Sequence, residues 1–285
     1  LRISLLAGFC LLSVVTLLVA TSLHQTKKTS ERVWTDSNTM LNDAARKDLS
    51  SLGEAQVATI QLLLADTYRY GQGLVRELQL LHELGSEAVL EAEPLRQRMT
   101  HRVRDALVAF PDLLGIYVIF EPNALDGQDS HFVGRNALGS NEQGRQAFYW
   151  SQGELGNPAL EPLKETSLSN DAPGEDGQPF NAWYTCPLIH ERICMLAPYL
   201  DRANGVEVLI TTIAYPIERN GKVVGVMGVD ITLEKLQALS QQASRELPKG
   251  TGGISILSQS GLLAAHSRDT TLIGKPMASA FGEQS

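Results

Sequence analysis

The chain has 285 residues, of which 43% are hydrophobic and 20% charged, and its formal net charge at pH 7 is -8. This length suffices for one large globular domain or two small ones. Nucleic-acid binding is excluded as a primary role, because the chain is acidic and no run of Lys or Arg offers a basic stripe for phosphates.

The first predicted element is a membrane helix at residues 1–23, in which residues 3–23 carry no charge. At about 1.5 Å rise per residue, that stretch reaches roughly the ~30 Å of bilayer hydrocarbon. A cleaved signal peptide is the alternative, but the apolar stretch is unusually long and has no clear small-residue cleavage site. The chain begins without Met, and we expect residues upstream of it.

A long amphipathic helix is predicted next, within a stalk region at residues 24–90. Apolar residues recur there at steps of three and four, as expected for one helical face. Gly71 and Gly73 are expected to weaken the helix locally. The apolar stripe from Leu41 to Leu81 is a candidate seam for a homodimer.

Residues 91–245 are predicted to form an antiparallel sheet module with helices to one side. The predicted helices are 93–109 and 233–245, and the predicted strands are 114–120, 206–217 and 222–231. Asn220-Gly221 predicts a tight hairpin, since both residues tolerate positive φ. Residues 246–285, with strands at 253–258 and 262–267, are expected to be the incomplete start of a second such module. The predicted fold class is therefore α+β.

The segment at residues 121–207 is rich in Gly, Pro, Asn and Asp and is too long for a plain loop. We expect it to hold short strands and loops that face a ligand. Within it, residues 144–150 predict a strand that borders a ligand pocket, with Phe148 or Trp150 facing inward. Tyr149 and Trp150 of this strand are candidate ligand-binding residues.

Two of the three cysteines, Cys186 and Cys194, are separated by a polar stretch of seven residues. This proximity favours a disulfide in an oxidising compartment, and two free thiols are the alternative. A zinc site would need two ligands besides these cysteines, and His190 alone does not supply them, so no metal is predicted.

Enzymatic chemistry is not indicated by any motif. The sequence has neither G-x-S-x-G nor H-E-x-x-H, and the glycines of residues 221–228 lie in a strand pattern where a phosphate loop would need a strand-to-helix turn. We expect a protein without catalytic activity and without a cofactor.

Four further segments, read in order after the stalk, carry a resemblance. They are NAWYTCP at 181–187, APYLD at 197–201, the hairpin ITTIAYPIERNGKVVGVMGVDITLEKLQAL at 210–239, and GGISILSQSGLLAAHSRDTTLIGKPM at 252–277. The sequence thereby resembles the double Cache sensory domain of bacterial receptors, chiefly methyl-accepting chemotaxis proteins.

The resemblance implies two PAS-like modules, the first membrane-distal and ligand-binding, the second membrane-proximal. It implies an anchor in the inner membrane, with residues from about 24 onward in the periplasm. Cytoplasmic signalling partners would act through a missing C-terminal region. That output region could belong to a chemoreceptor, a histidine kinase or a diguanylate cyclase.

By the same resemblance, the ligand-binding positions of the amino-acid branch fall on Trp183, Tyr184, Tyr199 and Asp230. That branch also has an Arg and a Tyr, at which this sequence has Asn181 and Asp176. Without the Arg, an α-carboxylate would be buried with no bidentate donor.

A cationic ligand suits the remaining residues better. Asp176, Asp201 and Asp230 would supply carboxylates beside aromatic rings, and each ring face adds roughly 0.5–2 kcal/mol to cation binding. The sequence is in this respect similar to the amine-sensing branch, whose ligands include polyamines, histamine and choline-like compounds. Arg145 as an anion anchor keeps an amino-acid or organic-acid ligand open.

Each candidate also has a purely structural interpretation. Trp183, Tyr184 and Tyr199 are alternatively core or loop-supporting aromatics, and Asp176 and Asp201 are alternatively turn residues. Asp230 is alternatively the N-cap of the helix that follows it.

Overall fold

The computed structural model describes residues 2–87, 89–153, 157–174, 177–203, 206–247, 252–258 and 261–278. Within these ranges, the side chains of residues 2–13, 63, 200–203, 206–208 and 235 are outside the description. The chain divides into two compact units, Leu1–Val57 and Ala58–Ser285.

Helix α1 is continuous from Arg2 to Ser86. Across the part of the chain with described residues, no helix has the length and apolarity needed to cross a bilayer. The predicted membrane segment lies partly outside the described side chains, so it stays a prediction. The predicted helix is present, and Gly71 and Gly73 do not interrupt it.

The apolar stripe of α1 has two different environments. Leu41 and Leu49 are 65% and 51% exposed, whereas Leu74 and Leu78 are 2% and 0% exposed in the core of the second unit. The predicted dimer seam from Leu41 to Leu81 is therefore wrong at Leu74 and Leu78, because these two leucines pack in the core of their own chain. The exposed leucines keep the prediction open.

The second unit is organised around a seven-stranded antiparallel sheet with the order β3-β2-β1-β7-β6-β4, in which β5 also pairs with β6. The predicted α+β class is confirmed. The elements are α2 (Ala92–Ala109), β1 (Gly115–Phe120), β2 (Ala147–Gln152), β3 (Pro158–Pro162), α3 (Glu165–Leu168), α4 (Ala182–His190), β4 (Cys194–Met195), β5 (Tyr199–Ala203), β6 (Val206–Arg219), β7 (Lys222–Thr232) and α5 (Glu234–Glu246).

Residues alternate between the two sides of this sheet, as the pleat requires. The helix face, represented by Ile116, Val118 and Met227, packs with residues of α1 and α2 in one large apolar cluster. The loop face, represented by Tyr117 and Ala214, packs with α4 in a second cluster. The sheet is therefore covered on both sides, but by different kinds of structure.

The hairpin between β6 and β7 turns at the predicted position. Asn220 and Gly221 have φ values of 50° and 72°, the left-handed conformation that a two-residue hairpin turn demands. The pairing places Thr212 of β6 opposite Asp230 of β7.

Gly71 has a packing reason to be glycine. A Cβ at this position would lie 2.4 Å from ring atoms of Tyr215 on β6. The close approach lets the Tyr215 hydroxyl donate to the Tyr68 carbonyl oxygen of α1 at 3.1 Å. A glycine is therefore required at this position of the helix, because any larger residue would clash with the Tyr215 ring of the sheet.

A smaller sheet follows α5, formed by β8 (Ser255–Leu257) and β9 (Leu263–His266). The side-chain amide of Gln237 on α5 both donates to the backbone oxygen of His266 and accepts from its N–H, at 2.9 and 3.0 Å. Ala264 and Ala265 of β9 pack in one cluster with Leu236 of α5. The predicted strands are thus present and are fixed on α5.

Candidate functional site

A cavity of about 280 Å³ lies between α4, the segment leading into β5 and the start of the second module. Most of its lining is apolar. In chain order, its lining includes Phe180, Trp183, Leu196, Tyr199, Leu209, Ile273 and Lys275. A small, mostly apolar cavity with a few polar groups is typical of a binding site for a small molecule.

Trp183 is held in the cavity wall by α4. It is 8% exposed, and its backbone oxygen accepts a hydrogen bond from the Tyr117 hydroxyl of β1 at 2.6 Å. The two rings also meet edge to face, with centroids 5.0 Å apart. The indole is therefore fixed against the loop face of the sheet before any ligand arrives.

A disulfide joins Cys186 of α4 to Cys194 of β4, with 6.3 Å between the Cα atoms. The pair is the one predicted from the sequence. The polar stretch between the cysteines is mostly helical rather than a loop, with Pro187 inside α4. Because Cys194 pairs with Ala214 of β6, the disulfide ties α4 to the sheet.

A relay of hydrogen bonds links the cavity to a buried carboxylate. The Tyr199 hydroxyl lies 2.7 Å from Thr212 Oγ1, and Thr212 Oγ1 donates to Asp230 Oδ1 at 2.6 Å. Asp230 is 2% exposed and stands behind the lining residues. When Asp230 is ionised, its carboxylate only accepts, so Thr212 donates its proton to Asp230 and Tyr199 donates to Thr212.

Asp230 does not cap the following helix. The N-cap of α5 is Leu233, and no side chain caps it. Asp230 is instead a residue of β7, paired with Gly115 of β1 and Thr212 of β6. Its carboxylate therefore belongs to the loop face of the sheet and to the relay.

The strand predicted beside the pocket is present as β2. Its side chains Phe148 and Trp150, however, face the side of the sheet away from the cavity. Phe148 and Trp150 belong to the helix-face cluster, and the Trp150 indole N–H donates to the Thr100 carbonyl oxygen of α2 at 2.9 Å. The prediction that one of them faces inward is wrong. Tyr149 packs on the loop face, where its ring covers Gly115.

Tyr184 lies on the loop face, but its hydroxyl points to a charged cluster outside the cavity lining. The hydroxyl donates to Glu121 and accepts from Arg145, and burial, with the Glu121 contact, raises the pKa of Tyr184. Its predicted role at the ligand is therefore corrected to anchoring α4 on the sheet.

Arg145 is the centre of that cluster and is 5% exposed. Its guanidinium bridges to Glu121 at 2.9 Å and to Glu165 at 3.2 Å, and it donates to the Phe120 carbonyl oxygen. Because two carboxylates neutralise it, Arg145 does not offer the anion anchor considered from the sequence.

The remaining candidates are Asp176 and Asp201. Asp176 lies outside the described residues. Asp201 is in β5, with its backbone opposite Val208, and its side chain is outside the description. Within the described ranges, no three His, Cys, Asp or Glu side chains come together as a metal site would need.

Several residues of the relay and of the cavity lining were not predicted from the sequence. Thr212 could have been predicted, because side chains alternate along β6 and this alternation places Thr212 on the loop face beside Asp230. Ile273 and Lys275 were not, because they come from the second module and no local pattern marks them.

Comparison with known families assigns the class. Residues 99–238 match the family described as methyl-accepting chemotaxis protein-like, first PDC sensor domain. The matched residues run from α2 to α5 and include the whole sheet and the relay. This part of the chain is therefore similar to the first PDC sensor domain of methyl-accepting chemotaxis proteins.

A particular relative extends the match over nearly the whole chain. The methyl-accepting chemotaxis protein TlpQ of Pseudomonas aeruginosa strain PAO1 is 46% identical over 279 residues, which are 98% of this chain and 39% of TlpQ. The chain thus spans about two fifths of the length of this relative.

Three solved structures share the fold. They are the extracellular domain of mmHK1S-Z3, a protein assigned as a histidine kinase (TM-score 0.58, 23% identity, 79% of this chain and 72% of that one), methyl-accepting chemotaxis protein X (0.56, 25%, 78% and 76%), and the ligand-binding domain of the P. aeruginosa PAO1 amino-acid chemoreceptor PctC in complex with GABA (0.50, 17%, 83% and 81%).

Proposed function

We propose that the chain is the sensor region of a bacterial chemoreceptor and that it binds a small organic cation in the cavity beside α4. In this proposal residues 1–23 anchor the chain in the inner membrane and the remainder is periplasmic. It acts as a homodimer without catalytic activity, and a region beyond residue 285 signals to cytoplasmic partners.

The hydrogen-bonded chain from Tyr199 through Thr212 to the buried Asp230 is the observation that carries the ligand class. Tyr199 spends its only proton on Thr212, so a ligand at the Tyr199 oxygen must donate a hydrogen bond. The charge of Asp230 lies behind this relay in a buried setting, where electrostatic attraction is stronger than in water. An ammonium group meets both requirements.

The aromatic lining supports the same ligand class. Trp183, Tyr199 and Phe180 border the cavity, and ring faces attract cations. Asn181, which stands where the resemblance places the carboxylate-gripping Arg, is 6% exposed and donates to the Leu168 carbonyl oxygen at 2.8 Å. That side chain is therefore engaged by the protein.

An amino acid is the second candidate, and Lys275 is the observation that favours it. Lys275 is exposed and lines the same cavity as Tyr199, so one ligand could place an ammonium near the relay and a carboxylate near Lys275. PctC, which shares the fold, is an amino-acid chemoreceptor in complex with GABA.

Calorimetry on the purified chain separates the two candidates. Putrescine, histamine and choline are titrated as amines, and L-alanine and GABA as amino acids. We expect saturable binding of at least one amine and no comparable binding of the amino acids. Binding of alanine or GABA with all three amines silent would overturn the cation proposal.

The anchor is tested separately. Single cysteines are placed at residues 2 and 30 in a chain lacking Cys10, and each is labelled from either side of the membrane in intact cells. We expect residue 30 alone to react with a periplasmic, membrane-impermeant reagent. Release of the chain as a soluble periplasmic protein would instead indicate a cleaved signal peptide.

A further inference from the structure

One wall of the cavity comes from the second module. Ile273, Gly274 and Lys275 lie after β9 in the chain, yet they line the same space as Trp183 and Tyr199 of the first module. The cavity is therefore incomplete without the second module.

The wall segment, Ile273–Lys275, is held by backbone hydrogen bonds to β9. The Gly274 N–H donates to the Leu263 carbonyl oxygen at 2.8 Å, and the Leu263 N–H donates to the Lys275 carbonyl oxygen at 2.9 Å. Gly274 has a φ of 83°, a left-handed conformation suited to glycine. The segment thus moves with β9.

The strand β9 is in turn connected to two helices. It is fixed to α5 by the paired hydrogen bonds between Gln237 and His266. Ile273 and Leu209 pack against the apolar cluster that includes Leu236 of α5, and so does Ile60 of α1. A continuous set of contacts therefore runs from the cavity wall to α1.

We propose that the ligand-binding site is shared between the two modules, with the wall segment as the contribution of the second. This rests on the proposed function, since it assigns further residues to the same site. A ligand that contacts both modules binds most tightly when β9 is docked on α5, so occupancy favours the docked arrangement. By reciprocity, loosening the docking weakens ligand binding.

The sharpest test compares two isoleucines of the same cluster. Ile273 and Ile256 are both half-buried and both pack against the cluster around Leu236, but only Ile273 lines the cavity. Ile273→Ala and Ile256→Ala therefore remove the same atoms and differ in access to the ligand. With the tightest-binding amine of the panel, we expect about a five- to tenfold weaker Kd for Ile273→Ala and less than about a twofold change for Ile256→Ala.

A second measurement needs no ligand. With 5-fluorotryptophan in place of Trp34, Trp150 and Trp183, fluorine NMR gives one resonance for each, assigned by Trp→Phe variants. We expect Ile273→Ala to shift the Trp183 resonance and Ile256→Ala to leave it in place. An unmoved Trp183 resonance in Ile273→Ala would overturn the shared wall, whether or not an amine binds.

The two proposals fail in distinguishable ways. If the unmodified chain binds none of the amines, the cation proposal fails and the fluorine measurement alone decides the shared wall. If an amine binds and both isoleucine variants bind it with the same Kd as the unmodified chain, the cation proposal stands and the shared wall is wrong.

Discussion

The two faces of the seven-stranded sheet bury polar groups in opposite ways. On the helix side, Arg96 of α2 is fully buried and is paired with Asp126 and Asp129 at 2.7 and 2.8 Å. On the loop face, Asp230 is equally buried and accepts from neutral Thr212. The charge of Arg96 is neutralised by these two carboxylates, whereas Asp230 is joined through the Thr212 hydroxyl to Tyr199 at the cavity. We therefore expect the Arg96 network to serve stability and the hydrogen-bonded chain from Tyr199 to Asp230 to serve ligand binding.

The largest expected effect breaks the ion network of the helix side. Arg96→Met leaves Asp126 and Asp129 in the interior without their cation, which typically costs about 3–5 kcal/mol. Chemical denaturation should show a loss of that size, and Arg135→Met should cost less than about 1 kcal/mol because its pair with Glu93 is exposed. Equal losses in the two variants would contradict the structural role of Arg96.

On the loop face, Asp230→Asn should change binding instead of stability. The amide keeps the shape and an acceptor for Thr212 but removes the charge, and we expect at least about thirtyfold weaker amine binding with little change in Tm. Asp105→Asn, on an exposed part of α2, is the matched control and should change neither. A large fall in Tm would make Asp230 a structural residue, and unchanged binding would rule out the cation site.

Removing the disulfide should loosen the packing of α4 on the loop face of the sheet. Cys186→Ser with Cys194→Ser releases α4 from β4, and closure of so short a loop is worth roughly 2–3 kcal/mol in the chain-entropy model. We expect lower stability together with weaker amine binding, because α4 carries Trp183. Two free cysteines found by thiol titration of the unfolded, non-reduced chain would refute the bond.

The helix side should also give a pH dependence. Burial lowers the pKa of His82, whose Nε2 contacts the Ala124 carbonyl oxygen at 2.9 Å. A depressed folded-state pKa means that the stabilising contribution is present above the ordinary value of 6.5 and is lost as pH falls through the folded-state pKa. His82→Gln should flatten the stability profile below that value, measured by denaturation across pH. An identical slope in the variant would show that another group titrates.

The smallest effect is expected at the rim of the cavity. Lys275 is exposed, so its repulsion of a bound cation is screened and worth less than about 1 kcal/mol. Lys275→Gln should tighten amine binding by about two- to fivefold at low salt, with the gain reduced at high salt. If GABA binding exists and is lost in this variant, Lys275 is instead the partner of a carboxylate.

The elements of the fold were predictable because their signals are local. The β6–β7 hairpin follows from Asn220-Gly221 and the flanking β-branched residues, and both strands were predicted within two residues of their bounds. Helix α4 was missed, because Pro187 and the cysteines do not indicate a helix.

The site was predictable only where one strand decides the outcome. Asp230 and Tyr199, which the resemblance indicated, belong to the relay. Trp150 was placed on the wrong face, since a shift of one residue reverses the faces of a strand. The role of Arg145 depends on Glu121 and Glu165, which the chain brings together from distant positions. Such long-range pairings leave no trace in local pattern.

The contact of Tyr215 with α1 restricts how the long helix can move. The Tyr215 ring packs directly against Gly71, and its hydroxyl donates a hydrogen bond to the Tyr68 carbonyl oxygen. These two contacts fix the position of α1 along β6. A slide of α1 by one helical turn, about 5.4 Å, would drive a larger side chain into that ring. Displacements of α1 at this level must therefore carry β6 along, and β6 is the strand that bears Thr212 of the relay.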